Sequence, residues 1–425
     1  MPQNHNITKE EIFEKFSNHV SSGKVKTFKQ YGIEFIFGKR EGPFIWDIDG
    51  KKRLINCHSN GGVFNLGHRN QKVIKALQES LETLDIGNHH FVSKQRALLA
   101  ETIANVSPGD LQYTIFGASG GEAIDTAIKI ARGYTKRKKI ISAVGGYHGH
   151  TGLAIAAGAA KFSAHFLCES SDFIQVPFNN LPAMENELNK EVAAVIMETI
   201  PATLGMPIPA HDYFSGLKKL CEKNGSLMIM DEVQTGLGRT GKMWGIEQYN
   251  VVPDMIVTAK GLSGGLYPIT ATIITKELES VFHQDPFIHI STAGGGEVGC
   301  AVAQKVLEIT NSKSFFNHVN ELAAIFKTGV DELKTKHPSL CVRLRQLGMM
   351  MGIETTHPDL GELMTKTCYE SGLLCIMSAN DTSVVQFLPA LNISEELAYE
   401  ILQRLDKAFE TAEKYVQEYL SKGKL

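Results

Sequence analysis

Apolar positions change their spacing three times along this chain. Residues 33–55 alternate apolar and polar side chains, and Phe44-Ile45-Trp46-Asp47-Ile48-Asp49-Gly50 ends on an Asp-Gly turn signal, so a small antiparallel element is predicted there. Over 72–84 the apolar residues Val73, Ile74, Leu77 and Leu81 recur at helical spacing, which predicts a helix with one face packed on a larger body. Short apolar runs then follow at 113–116, 139–144, 193–197, 226–230 and 255–258, separated by helical stretches. Runs of this kind, buried on both faces and joined by helices, predict a mostly parallel sheet in an α/β domain, with ligands bound beyond the carboxyl ends of its strands. From about residue 315, helical segments bracket a second strand set near 343–354 and 384–388, the mark of a separate C-terminal lobe. No repeat of fixed period points to a solenoid or propeller.

Length and composition narrow this picture. At 425 residues the chain exceeds the roughly 250–300 residues that one core supports, so two or three packed units are expected. It is 43% hydrophobic and 21% charged, an ordinary globular balance. A net charge of -3 leaves no basic excess for a phosphate backbone, and the cluster Lys136-Arg137-Lys138-Lys139 is short, which argues against nucleic acid as a partner. The polar start at 1–9 lacks a secretory layout and no run approaches the ~18 apolar residues of a membrane span, so a cytoplasmic location away from membranes is expected. Seven scattered cysteines without a C-x-x-C pair read as reduced, mostly buried thiols, and Cys57-His58 has no second pair to complete a zinc site, so no metal is expected.

Three stretches carry chemistry. Ser119-Gly120-Gly121-Glu122-Ala123 follows the 113–116 run and opens an amphipathic helix reaching about residue 132; bare N–H groups there would cradle a phosphate. Asp231 ends the apolar run before Glu232-Val233-Gln234-Thr235-Gly236, where a buried acid calls for a cationic partner. Lys260 lies at the end of the 255–258 run, before the glycine loop Gly261-Leu262-Ser263-Gly264-Gly265, as an amine in a partly dry cleft. Singly, each also reads as plain structure: a glycine turn, a helix N-cap, a solvated lysine. Together they supply a phosphate cup, an acid for a ring nitrogen and an amine for an aldehyde, which are the needs of pyridoxal phosphate (PLP).

Their order and spacing resemble the class III aminotransferases, the ω-type, ornithine- and acetylornithine-like PLP enzymes of fold type I, from about residue 44 to 405. The resemblance rests on Trp46-Asp47-Ile48-Asp49-Gly50-Lys51, Gly67-His68, the phosphate turn at Ser119, Tyr147-His148-Gly149, Glu198 after Val195-Ile196-Met197, the stretch from Asp231 to Gly241, Lys260, and Ser291-Thr292. It implies a central, mostly parallel α/β sheet with a smaller α+β lobe built from both ends of the chain: 1–65 and 313–425 in the small lobe, 66–312 in the large PLP-binding domain. It further implies that Lys260 holds PLP as a Schiff base and then moves the proton, and that Asp231 pairs with the ring nitrogen. Gln234 would reach the ring hydroxyl, Tyr147 would stack on the ring, and Ser119, Gly120 and Gly121 would hold the phosphate. Glu198 is the active-site glutamate of the pattern, and Thr292 would reach the phosphate of a partner subunit in a homodimer or dimer of dimers. His148 either orients Tyr147 or fills space.

Two departures bear on substrate. The family's Thr-Phe-Gly-Gly-Asn-Pro reads here Thr292-Ala293-Gly294-Gly295-Gly296-Glu297, predicting a smaller and more acidic loop. The family's carboxylate-gripping arginine falls on Gln386 of Val385-Gln386-Phe387-Leu388-Pro389, which has neither the charge nor the fork of a guanidinium. Arg343 and Arg345 are candidate replacements, while Arg239 reads as structural. The expected activity is transfer of an amino group from an ω-amine, a diamine or a carboxyl-masked amino acid to a 2-oxo acid. The alternative is a racemase, epimerase or aminomutase on the same fold. A non-catalytic scaffold is disfavoured by the joint presence of Asp231, Gln234 and Lys260.

Overall fold

The computed structural model describes residues 7–421. Most of the polar 1–9 start therefore lies outside the described residues. The alternating N-terminal segment forms three antiparallel strands, β1 (Phe37–Glu41), β2 (Phe44–Asp47) and β3 (Arg53–Asn56), and Gly50 N–H closes the turn onto the Asp47 carbonyl at 2.8 Å. The next helix runs Gln71–Ser80, shorter than its apolar period, because Asn70 caps its start and Leu81 lies 60% exposed beyond its end.

Seven strands make the central sheet: β4 (Leu111–Gly117), β5 (Lys139–Ala143), β6 (Phe173–Val176), β7 (Val192–Glu198), β8 (Leu227–Asp231), β9 (Met255–Thr258) and β10 (Thr270–Thr275), in the order β4-β10-β9-β8-β7-β5-β6. All neighbours are parallel except β10, which runs antiparallel to both β4 and β9. Five strands fall on the predicted apolar runs. The other two escaped the pattern because Gln175 interrupts β6, and Thr270, Thr272 and Thr275 dilute β10. Burial of Thr272 is compensated by its hydroxyl, which donates to the Ala123 carbonyl at 2.9 Å. Every position of β7 is buried. Apolar clusters fill both faces of the sheet, one under the helix Gly120–Thr135 and one under Lys94–Val106 and Glu297–Thr310.

The C-terminal lobe contributes β11 (Cys341–Leu347), β12 (Met350–Thr355), β13 (Leu373–Leu374), β14 (Ile376–Met377) and β15 (Val384–Phe387), backed by the helices Lys313–Lys336, Pro358–Glu370 and Glu395–Ser421. Four of these strands form one antiparallel sheet, whereas β13 pairs parallel with β3, Leu373 facing Ile55. Ile55 and Cys57 enter the apolar core of this lobe, which ties the N-terminal segment to it. All seven cysteines are free and only Cys168 is exposed. Among the described residues no helix is long and apolar enough to cross a membrane.

Candidate active site

The carboxyl ends of β7, β8 and β9 and the turn after β4 meet at a cavity of about 560 Å³. Ser119 caps the helix Gly120–Thr135, its hydroxyl accepting from Glu122 N–H at 3.3 Å, so the positive end of that helix faces the cavity. Gly121 has no room for a side chain here: a Cβ would lie 2.6 Å from Thr151 Oγ1, and a Cβ on the neighbouring Gly149 would stand 2.7 Å from Gly121 Cα. The result is a patch of bare backbone donors suited to a phosphate.

Asp231 ends β8 beside Glu198, the last residue of β7. Its Oδ1 accepts from Val233 N–H at 3.1 Å, and its Oδ2 lies 2.8 Å from His148 Nδ1. His148 therefore serves Asp231, not Tyr147, and does more than fill space. Burial works against its charged form, yet the hydrogen bond and charge of Asp231 hold its pKa above the ordinary value. Tyr147 lines the cavity, half-buried, with its ring edge-on to His150 and Phe162 at 5.2 and 6.1 Å. Its N–H donates to Glu198 Oε1 at 2.9 Å. Burial pushes the Glu198 carboxyl up to about 7, although the charge of His148 opposes the shift.

Lys260 follows β9 with φ 41°, a left-handed conformation that a lysine rarely adopts and that the surrounding structure must enforce. Its Nζ donates to Gln234 Oε1 at 3.1 Å. Burial lowers its pKa, while Asp231 and Glu198 pull the other way, so an amine nucleophile becomes more accessible in its neutral form. The turn Ser59–Gly62 closes this side of the site. All four of its residues have positive φ, and a Cβ on Gly61 would stand 3.2 Å from Lys260 Nζ. Asn60-Gly61-Gly62 signals a turn in the sequence, but nothing local placed that turn against a lysine 200 positions on.

The cavity thus gathers Ser119, Gly120, Gly121, Tyr147, Glu198, Asp231, Gln234 and Lys260. Thr292 lies apart, exposed, on a loop where Gly294 N–H donates to Ser291 Oγ at 3.0 Å. That loop presents less acid than expected, because the Glu297 carboxylate turns inward to accept from the Ser93 hydroxyl. Gln386, on β15, is buried near His58, whose pKa falls to about 4 through burial and the nearby charge of Lys260, with Gln386 opposing the shift. The candidate replacement cations are engaged elsewhere. Arg343 and Arg345 both pair with Glu354, and Arg345 also with Asp381. Arg239, fully buried, ties Met349, Pro389 and Asn65 together, the structural part expected of it.

PLP fits what the residues leave open. Gln234 Nε2 is a buried donor without a partner, the Gly121 cradle admits a phosphate, and a hydrogen-bonded acid stands near a buried amine. On a mostly parallel sheet flanked by helices, that fit defines a PLP enzyme of fold type I. Residues 28–409 match the family model described as Aminotransferase class-III, and the chain belongs to that family. It is 52% identical over 404 residues to an uncharacterized aminotransferase of Archaeoglobus fulgidus, covering 95% of each chain. Its structure resembles ornithine aminotransferase from Toxoplasma gondii (TM-score 0.87, 25% identity, 96% of each chain covered). It also resembles taurine:2-oxoglutarate aminotransferase from Bifidobacterium kashiwanohense, solved in complex with PLP and glutamate (TM-score 0.88, 26% identity, 97% of this chain and 99% of that one). The protein is accordingly a PLP-dependent class III aminotransferase, acting on small-molecule amines and keto acids.

Proposed function

We propose that this aminotransferase takes its amino group from an ω-amine, a diamine or a carboxyl-masked amino acid and delivers it to a 2-oxo acid such as 2-oxoglutarate or pyruvate. One observation carries the reading: among the described residues lining the cavity, Lys260 is the sole lysine or arginine. A donor's free α-carboxylate would meet no guanidinium there, since Gln386 is neutral and Arg345 is held by two carboxylates, and the carboxylate of the 2-oxo acid, facing the same lining, is left to polar groups such as Thr203 and His150. Glu198, without an arginine partner, is available to a second ammonium group of the donor.

The residues divide the work as follows. Lys260 Nζ would hold the cofactor at its aldehyde and, when free, would move the proton at the donor carbon. Bound PLP supplies an electron-withdrawing ring for the charge left at the donor carbon. Asp231, steadied by His148, would keep the ring nitrogen protonated. Gln234 Nε2 would reach the ring hydroxyl, Tyr147 would cover one face of the ring, and Ser119, Gly120 and Gly121 would bind the phosphate. The small lobe is assigned to 1–65 and 313–425, the large domain to 66–312, and the location to the cytoplasm. A homodimer, or a dimer of dimers, brings Thr292 to the partner's phosphate. The exposed apolar residues Phe91, Val92, Phe287, Ile288 and Ile290, on the Thr292 loop and a loop beside it, support such a contact.

The test compares kcat/KM for a diamine, a carboxyl-masked amino acid and the matching free amino acid in wild type and Gln386→Arg. The substitution is expected to shift preference toward the free carboxylate by about tenfold or more, the scale of ~1.4 kcal/mol. A wild type that already favours the free α-amino acid, with no change in the variant, refutes the substrate reading.

A further inference from the structure

Two loops of the central sheet shape the site: residues 144–147, which lead into Tyr147, and residues 199–206, which follow Glu198. One turn of the C-terminal lobe, residues 379–381 between β14 and β15, grips both. Asn380 Nδ2 donates to the Gly145 carbonyl at 2.6 Å, and Asn380 N–H donates to the Thr203 carbonyl at 2.9 Å. Thr203, which lines the cavity, sends its hydroxyl to the same Gly145 carbonyl at 3.1 Å. At one end of the turn Lys161 Nζ donates to the Ala379 carbonyl at 2.9 Å. At the other, Arg345 Nη1 reaches the Gly205 carbonyl at 2.7 Å and Asp381 at 3.0 Å.

The backbone is shaped for this grip. Gly205 has φ 77°, and a Cβ there would lie 2.8 Å from Arg345 Nη1 and overlap Asp381. Gly145 has φ 76°, and a Cβ there would stand 2.6 Å from Leu204 Cδ2. The turn itself is braced: Ser378 N–H donates to the Val384 carbonyl at 2.8 Å, Val384 N–H to the Asp381 carbonyl at 3.1 Å, and the Ser383 hydroxyl to Asp381. Behind it the helix Pro358–Glu370 packs so closely that a Cβ on Gly361 would overlap the Thr382 carbonyl oxygen.

We propose that the 379–381 turn is an interdomain latch and that Asn380 is a positioning residue, fixing Gly145 and through it the Tyr147 ring two residues on. This rests on the reading that Tyr147 covers the cofactor ring. Lobe and ring are then coupled: the C-terminal lobe cannot swing away without releasing the Gly145 carbonyl, and Tyr147 cannot tilt without straining that bond. Arg345 belongs to the latch, holding Gly205 and Asp381 together, and is not a substrate cation.

Hydrogen exchange of the cofactor-free protein reads the latch without catalysis. In Asn380→Ala, and in the isosteric Asn380→Asp that has no amide to donate, exchange over residues 144–148 is expected to rise about tenfold, the scale of one lost hydrogen bond. The PLP dissociation constant should rise by a similar factor, and Tyr147→Ala should raise it at least as far. Exchange equal to wild type in both Asn380 variants overturns the latch. So does faster exchange with unchanged PLP affinity where Tyr147→Ala has lost affinity. If Tyr147→Ala itself binds PLP like wild type, the ring-covering reading fails instead, and the exchange rates alone then decide the latch.

Discussion

Glu198→Gln should stabilise the cofactor-free enzyme at alkaline pH, although it deletes a charge next to Lys260 and His148. Glu198 is buried at the end of β7, where Tyr147 N–H, His148 and Lys260 favour its carboxylate while burial and Asp231 oppose it. Burial prevails and raises the pKa from 4.5 to about 7. The folded state therefore holds a proton that the unfolded chain has lost between those two values. Stability from this group is full below pH 4.5 and declines as pH rises through 7. At about 1.4 kcal/mol per pH unit, the loss above pH 7 is about 3 kcal/mol. Glutamine keeps the shape and carries no charge, so it escapes that penalty. With an unfolding entropy of about 2.1 cal/mol/K per residue, 3 kcal/mol amounts to roughly 3–4 °C in Tm for a chain of this length, if it unfolds as one unit. Thermal unfolding followed by circular dichroism at pH 4 and pH 8 measures the difference. The variant should match wild type at pH 4 and exceed it at pH 8. A variant less stable than wild type at pH 8, or with the same pH dependence, would show that His148 and Lys260 hold Glu198 ionised and that burial does not govern it.

Three further outcomes are expected. Borohydride reduction of the PLP-loaded enzyme followed by peptide mapping should label Lys260, and a label on any other lysine removes it from its role. Asp231→Asn should fold like wild type by circular dichroism but lose at least ~100-fold in turnover, as when a preorganised charge is removed from a site; full activity would reduce Asp231 to a partner of His148. Light scattering at assay concentration should give a dimer or tetramer, and an active monomer would separate Thr292 from the phosphate.

Much of the fold was legible because its main determinant is local. A strand buried on both faces is mostly apolar, and five of the seven central strands fall on short apolar runs; β6 and β10 do not, because Gln175 and the three threonines of β10 place polar groups inside otherwise apolar runs. The chemistry at Ser119, Asp231 and Lys260 was legible for a related reason. Each sits where an apolar run stops at a glycine-bearing turn, and a parallel sheet collects such ends along one edge.

Contacts between distant segments were not legible. His148 alone suggested a companion for Tyr147, and only packing of the loop after β5 against the end of β8 delivered its Nδ1 to Asp231. Arg345 looked like a spare cation until Glu354, across the β11–β12 pair, and Asp381, from the turn before β15, occupied it. Glu297 looked like a charge added to a surface loop until it turned onto Ser93. The sequence by itself determined most of the central strands, which residue types stand at their ends, and so the kind of chemistry the chain performs, because burial and turn geometry act over a few neighbouring residues. Tertiary structure decided which charges are free and which are committed, because a side chain's charge takes its meaning from groups that only the folded chain brings within hydrogen-bonding distance.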